Sequence, residues 1–476
     1  ATRLSHKDSD PDSIYPFRLP GYRGIHTKCD ICHKGEAVMS PEHLAIVMFV
    51  GVLVMVIAGF PLYLALGGLG LVFGILGGWA PQVFNQFISR VYGLMASEVL
   101  PAVPLFVFMG ALLTKSGAAE KLFNALYLAM GGLRGGLALT TVFLATLFAA
   151  TAGVIGATET AVGLMALPAM LKRGYNIPLA CGSICAGGTL GILIPPSVML
   201  LLYGPTAGLS VAKLFIGAIG PGLLLSALYL VYIFILCLIK PDYGPPMPKE
   251  DRNVPLFKIL VEISIYMIPP LFLIFAVLGT ILVGIASPTE AASVGAMGAV
   301  LVAIAYRNFN FKVLYDAAIQ TLRITTMVMF VAAGAMMFSG VFMALGGAKY
   351  IGATIIALPL GKWGILFAML VVVVLLGMFI DWIGILFIVI PIFTPIALDL
   401  GFNPLWFALV ICTNLQMSFL TPPFAYSMFY LKGIAPDDVT MGQIYQGVFP
   451  FIGLQMLALA LVILFPPLTL WLPSFM

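Results

Sequence analysis

Charge is scarce in this sequence, and histidine stops at His43. Lys, Arg, Asp and Glu make up only 9% of the 476 residues against 61% hydrophobic ones, and the mean hydropathy is +1.10. That balance excludes an ordinary soluble domain. The net charge of +4 is spread over loops, without the clustered basic stripe that nucleic-acid binding requires. Intramembrane haems held by paired histidines are excluded beyond residue 43, which counts against a redox enzyme as the principal function. Cysteine is sparse too. Cys181, Cys185, Cys237 and Cys412 lie in apolar stretches and read as small packing residues.

What is present is apolar sequence in membrane-sized pieces. A span needs about 20 such residues, and ten to twelve hydrophobic elements fit between Leu44 and Met476. The expected class is an all-α polytopic membrane protein. Two short apolar segments, roughly 44–59 and 61–78, are divided by Gly59-Phe-Pro61. A mixed stretch, 81–134, reads as interfacial pieces around one span near 101–114, and another span covers about 215–239. The connection from Lys240 to Lys258, with Pro241, Pro245, Pro246 and Pro248, joins two halves.

The halves are related. A shift of 227 residues lays Leu167–Pro196 over Thr394–Pro423 without a gap, and nine of the thirty positions are identical, among them Gly174, Asn176, Pro195 and Pro196. Glycines and prolines that set loop and break geometry are not what apolar bias alone would match. Each copy puts a break in an apolar helix: Gly188-Thr-Leu-Gly-Ile-Leu-Ile-Pro-Pro-Ser197 in one and Thr421-Pro-Pro423 in the other. Broken backbone survives at membrane depth only where protein buries it or where it lines a cavity. Lys172 and Arg173 in the first copy face Asp399 and Leu400 in the second, which predicts inverted orientations. Inverted repeats with discontinuous helices are a mark of secondary transporters.

Before each break lies an apolar stretch too long for one span, 37 residues from Gly135 to Leu171 and 36 from Trp363 to Leu398. As single helices these would run about 54 Å, nearly twice the bilayer core. Re-entrant hairpins are expected instead, turning within Thr151–Thr158 and near Gly377–Gly384. Each holds one ionisable residue, Glu159 or Asp381, and a third isolated acid is Glu290. Intramembrane acids are functional candidates by default, while capping of a helix start is the structural alternative for Glu159 and Glu290. Asp381, beside Phe379, Trp382 and Ile383, is the candidate for direct cation or proton work. Thr189, Asn414, Gln416, Ser418 and Thr421 offer neutral oxygens suited to sodium, or to ordinary helix–helix hydrogen bonds.

These residues resemble the large membrane subunit of tripartite ATP-independent periplasmic (TRAP) transporters. The resemblance covers the chain from Met39 onward and rests on Met39-Ser-Pro-Glu, Gly59-Phe-Pro61, Ala186–Ser197, Ser287-Pro-Thr-Glu-Ala-Ala292, Asn414–Pro423 and Leu431-Lys-Gly-Ile-Ala-Pro436. The first hairpin tip, Thr151–Glu159, departs from the Ser-Gly-Ser-Ser-like tip of many members and is similar to a subfamily labelled for mannitol or chloroaromatic compounds. The resemblance implies a sodium-driven elevator in the bacterial inner membrane with a periplasmic N-terminus. It further implies a small four-helix membrane subunit, a periplasmic substrate-binding protein and an organic-acid substrate, with no catalytic residues. Sodium would be held around Gly153, Thr158, Gly188, Thr189 and Gly191, and around Asp381, Gln416, Ser418 and Thr421. Substrate would lie near Glu159, Pro195, Pro196, Asn414, Pro422 and Pro423, its carboxylate facing helix N-termini because these stretches hold no arginine. The implied organisation is scaffold helices over 39–134, the first hairpin and broken helix over 135–206, scaffold helices and connecting loop over 207–362, the second hairpin and broken helix over 363–432, and a C-terminal helix over 433–476.

The first 38 residues are a polar, water-exposed extension without the apolar core of a signal peptide. Ala1 is not a natural start, so an upstream segment is expected to have been removed. Cys29-Asp-Ile-Cys-His33 is the attachment pattern of c-type haem, for which His6, His26 or Met39 would supply the second ligand. Zinc held by His26, Cys29, Cys32 and His33, and no cofactor at all, are the other readings. An electron-transfer membrane subunit, a transporter docked to such an assembly, and a channel are the rival functions.

Overall fold

Glycine and proline punctuate the chain. Gly59 adopts a left-handed φ of +88° and Pro61 follows as the cap of the next helix, so the first apolar run cannot continue through them. The computed structural model describes residues 40–476 apart from 79, 249, 251–253, 358 and 424. The Cys29, Cys32 and His33 motif, with His6, His26 and Met39, lies outside the described residues.

The first helices are α1 (Pro41–Ile57), α2 (Leu62–Leu76), α3 (Ala80–Met95), α4 (Ala102–Lys115) and α5 (Ala118–Met130). Next come α6 (Gly136–Ala152), α7 (Ile155–Lys172), α8 (Ile177–Thr189) and α9 (Val198–Ala207). Helix α10 (Val211–Ile239) leads through the proline-rich connection to α11 (Leu256–Leu282), α12 (Pro288–Ala305), α13 (Phe311–Ala344) and α14 (Gly347–Ile356). The last group is α15 (Gly361–Gly377), α16 (Trp382–Asp399), α17 (Pro404–Ser418), α18 (Tyr426–Ile434), α19 (Met441–Leu464) and the short α20 (Pro467–Leu470). No strand occurs among the described residues. Among the described residues six helices are long and apolar enough to cross a membrane, and α4 with α5, bent by 58° at their junction, forms a seventh such unit. The chain is an all-α, multi-pass membrane protein.

Both long apolar stretches fold as two helices joined by a tight turn. Gly153, at φ +61°, ends α6 and Val154 begins α7; Gly377 ends α15 and Asp381 is the N-cap position of α16. Each arm is about 26 Å long. The 227-residue shift carries α7 onto α16 at both ends and the start of α8 onto that of α17. Asn176 and Asn403 cap α8 and α17, each accepting backbone amides on its side-chain oxygen. The Pro-Pro bond at each break, Pro195-Pro196 and Pro422-Pro423, is cis.

Helix α8 sits at the centre, against α6, α7 and α19, and is buried from Leu179 onward. It meets α19 where two glycines cross: a Cβ on Gly182 would lie 2.1 Å from the Gly447 carbonyl oxygen, so only small residues allow that approach. Helix α17 is held by α15, α19 and α10, and α18 by α7 and α8. On the other side α13 runs along α2, α3 and α4 and touches the hairpin group through α16.

Candidate functional site

Between that hairpin group and α2 with α13 lies a cavity of about 280 Å³. Its wall on one side is Pro61, Leu62 and Tyr63 of the α1–α2 corner with Ile324–Val331 of α13. The opposite wall is built from both turns and both breaks: Val154–Gly156, Val198, Asp381 and Trp382, and Phe419, Tyr426 and Tyr430. The first residues of α7, α9, α16 and α18 therefore all face one space. Each helix start presents unpaired amides and a partial positive charge. Among the described residues no Lys or Arg lines this cavity, and the acid in its lining is Asp381, toward which the Trp382 and Ile383 amides point. A second cavity of about 400 Å³, with Arg90, Ser97, Ser339 and Phe387 in its lining, lies further along α13 and α16.

The expected sodium groups come together in part. Gly153, Thr158, Gly191 and Pro196 are neighbours: a Cβ on Gly191 would meet Thr158 Oγ1 and the Val154 carbonyl, each at 3.3 Å, and one on Gly153 would lie 3.1 Å from the Pro196 carbonyl oxygen. Gly188 packs instead on Glu159. Thr189 is turned away toward α19, where it receives the Gln455 amide at 3.5 Å. In the second copy Ser418 is pressed against Gly377 at the end of α15. Ser418 Oγ, both polar atoms of Gln416 and Asn414 Oδ1 are buried without a hydrogen-bond partner among the described residues. Asn414 Nδ2 donates to the Leu370 carbonyl at 3.0 Å, and Thr421 Oγ1 to that of Met417 at 2.7 Å. Orphaned buried oxygens are costly, and a bound cation is one way to satisfy them.

Of the acids, Glu290 is structural. It closes a capping box with Ser287, receiving the Ser287 amide at 2.7 Å while Ser287 Oγ accepts the Glu290 amide at 3.3 Å. Glu159 is not a cap. Helix α7 begins four residues earlier, and Glu159 is fully buried one turn behind the cavity wall, its Oε2 receiving Ser427 Oγ at 2.8 Å. Sequence reasoning missed Ser427, Tyr426 and Tyr430 of α18, Tyr63 and the buried Gln455. A lone amide in the apolar α19 was a readable signal; the α18 residues gave none, because their partners lie some 270 positions away.

The family model described as the DctM component of the tripartite ATP-independent periplasmic transporter matches residues 47–468. The chain belongs to this transporter family. It is similar to the C4-dicarboxylate TRAP transporter large permease protein of Pseudomonas aeruginosa, 31% identical over 84% of this chain and 91% of that one. It is also similar to the ectoine TRAP transporter large permease protein of Halomonas elongata, 30% identical over 88% and 96%. The YdaH transporter of Alcanivorax borkumensis shares the fold, with a TM-score of 0.59 at 16% identity over 90% of this chain and 98% of that one.

Proposed function

We propose that this TRAP permease is the large membrane subunit of a sodium-driven importer of a small organic monocarboxylate with an apolar or aromatic body. The observation that carries this reading is the cavity at the meeting of four helix starts. A carboxylate there would be held by backbone amides and helix potential, as at other helix N-termini. The rest of the solute would pack on Tyr63, Trp382, Phe419, Tyr426 and Tyr430. A second carboxylate would meet no cation among the described residues of that wall, which favours a monocarboxylate over the C4-dicarboxylates named for the Pseudomonas aeruginosa relative.

Sodium would bind at two places. Gly153, Thr158 and Gly191 with the Val154 carbonyl form the first, and Asp381 with the orphaned oxygens of Gln416 and Ser418 the second. The two copies would be inverted in the bilayer of a bacterial inner membrane. Their hairpins and broken helices would slide along α2 and α13 between the two cavities. A small membrane subunit and a periplasmic binding protein that delivers the solute complete the reading.

The test is uptake into proteoliposomes holding the chain and its membrane partner, with the binding protein outside and a panel of labelled acids. Uptake of a monocarboxylate that needs both the sodium gradient and the binding protein is expected. Equal uptake with and without sodium, or a preference for dicarboxylates, would overturn the proposal.

A further inference from the structure

Arg90 is a charge that the helix-start cavity leaves without a task. Its guanidinium lies against α13 at Gly340, where a Cβ would come within 2.9 Å of Arg90 Nε and 3.2 Å of its Cζ. Among the described residues it pairs with no carboxylate, and the side chain remains exposed, so an incoming anion can reach it. A cation on the body of a membrane protein with no counter-charge is a functional candidate by default.

The guanidinium lines the cavity of about 400 Å³ that α3, α9, α13 and α16 enclose. Its polar lining is a set of donors. Ser339 Oγ has a weak acceptor in the Met343 thioether at 4.0 Å, and Ser97 adds a second hydroxyl, whereas Thr206 gives its proton to the Leu202 carbonyl at 2.8 Å. Among the described residues no Asp or Glu lines this cavity; Glu98, next to Ser97, is exposed and outside it. Donors without an acceptor take an anion, and the planar fork of arginine matches a carboxylate or a phosphate with two parallel bonds. The neighbouring space says what the anion is attached to. Leu94, Ser97 and Leu100 also line an adjoining cavity of about 300 Å³, walled by Pro101, Pro104, Met329 and Phe330. A guanidinium at one end and apolar walls at the other suit a small acid with an apolar body, and the volumes fall in the usual range for small-molecule sites.

Three helices run from this cavity to the one at the helix starts. Helix α13 gives Ile324–Val331 to the helix-start cavity and Met336, Ser339 and Met343 to this one; about 18 Å of helix separates Val331 from Met343. Helices α9 and α16 do likewise, with Val198 and Trp382 on the first cavity and Leu202 and Phe387 on the second. The two cavities are therefore steps on one track, and of the two it is the Arg90 cavity that holds a cation among its described residues. We propose that the Arg90 cavity is a holding site for the transported acid, with the carboxylate on the guanidinium and the hydroxyls of Ser97 and Ser339 and the apolar body in the adjoining space. Moving along the track exchanges a guanidinium for backbone amides as the carboxylate's partners. Arg90 thus selects for an acid, and the cation-free helix-start cavity lets it go more readily. This assignment rests on the transport reading, and its test separates the two.

The probe is 4-benzoylbenzoate, a benzophenone with one carboxylate, added to the full chain with its membrane partner. On illumination its ketone carbon bonds to a nearby C–H carbon, and peptide mass spectrometry finds the residue whether or not solute is carried. Labelling of Met336 or Met343 is expected, suppressed by benzoate but not by benzyl alcohol or phosphatidylglycerol, and reduced about tenfold or more in Arg90→Gln. Gly340→Ala keeps the charge but pushes the guanidinium aside; it should also cut the labelling, and it decides the case if Arg90→Gln does not fold. In proteoliposomes Arg90→Gln should raise the half-saturating acid concentration about tenfold. Labelling that both variants leave intact, that benzyl alcohol suppresses as well as benzoate does, or that phosphatidylglycerol displaces would overturn the holding site, as would an unchanged half-saturating concentration. Labelling that depends on Arg90, together with uptake that ignores the sodium gradient, would overturn the transport reading alone.

Discussion

The two broken helices follow one plan at a spacing of 227 residues, yet their breaks meet different surroundings. Every described residue from Leu179 to Gly204 is buried, including Pro195 and Pro196, whereas Thr421 is half-buried and Pro422 and Pro423 are exposed. The helix after the first break starts on Ser197, whose hydroxyl accepts the Leu200 amide and donates to the Ile192 carbonyl. The helix after the second starts on Ala425 at φ +31° without a side-chain cap. Shared backbone geometry thus supports two roles: a packed floor in the first copy, and in the second an exposed, strained edge of the cavity. A region that must move is drawn from the less stabilised part of a fold.

Placing the second copy's residue in the first is the harshest way to break this comparison. Gly188 corresponds to Leu415, and Gly188→Leu drives a side chain into Glu159. It is expected to cost about 3 kcal/mol or more and to leave little folded protein in a detergent melting assay. Asp381→Asn should raise the half-saturating sodium concentration by about tenfold, about 1.4 kcal/mol, in uptake assays; an unchanged value would remove Asp381 from the ion site. The shared frame predicts equal losses from Asn176→Ala and Asn403→Ala, about 1 kcal/mol each, read as matching shifts in thermal unfolding. The smallest effect belongs to Ala425→Gly. Relief of a left-handed alanine should stabilise by up to about 1 kcal/mol, whereas a loss would show that the second break is not strained there.

Much of this frame was legible in the sequence. The two overlong apolar stretches, the paired Pro-Pro breaks and the repeated Gly–x–Asn before each broken helix are local signals, and the helices start and stop at them because glycine, asparagine and proline act within a turn of themselves. Isolated acids were legible as candidates, and capping, read as the structural alternative for Glu159 and Glu290 alike, holds for one of the two. Glu290 proved to be a cap because Ser287 stands three residues before it. Glu159 proved not to be one, because its partner is Ser427, brought in by tertiary packing. Thr189 shows the same limit. It lies beside the break in sequence, yet the helix turns its hydroxyl toward Gln455, and a 3.6-residue period without a known axis does not say which way a single residue faces.

The comparison and the proposed carrier meet in one measurement. In a variant lacking the six natural cysteines, a cysteine is placed at Ile194 or at its counterpart Thr421, and labelling by a membrane-impermeant thiol reagent is followed in proteoliposomes with and without sodium and the transported acid. Rapid labelling at 421, slowed when sodium and acid are present together, with little labelling at 194, is the predicted result. Equal labelling at both positions, or labelling at 421 that ignores sodium and acid, would contradict the assignment of the second break as the moving edge of a sodium-coupled carboxylate site.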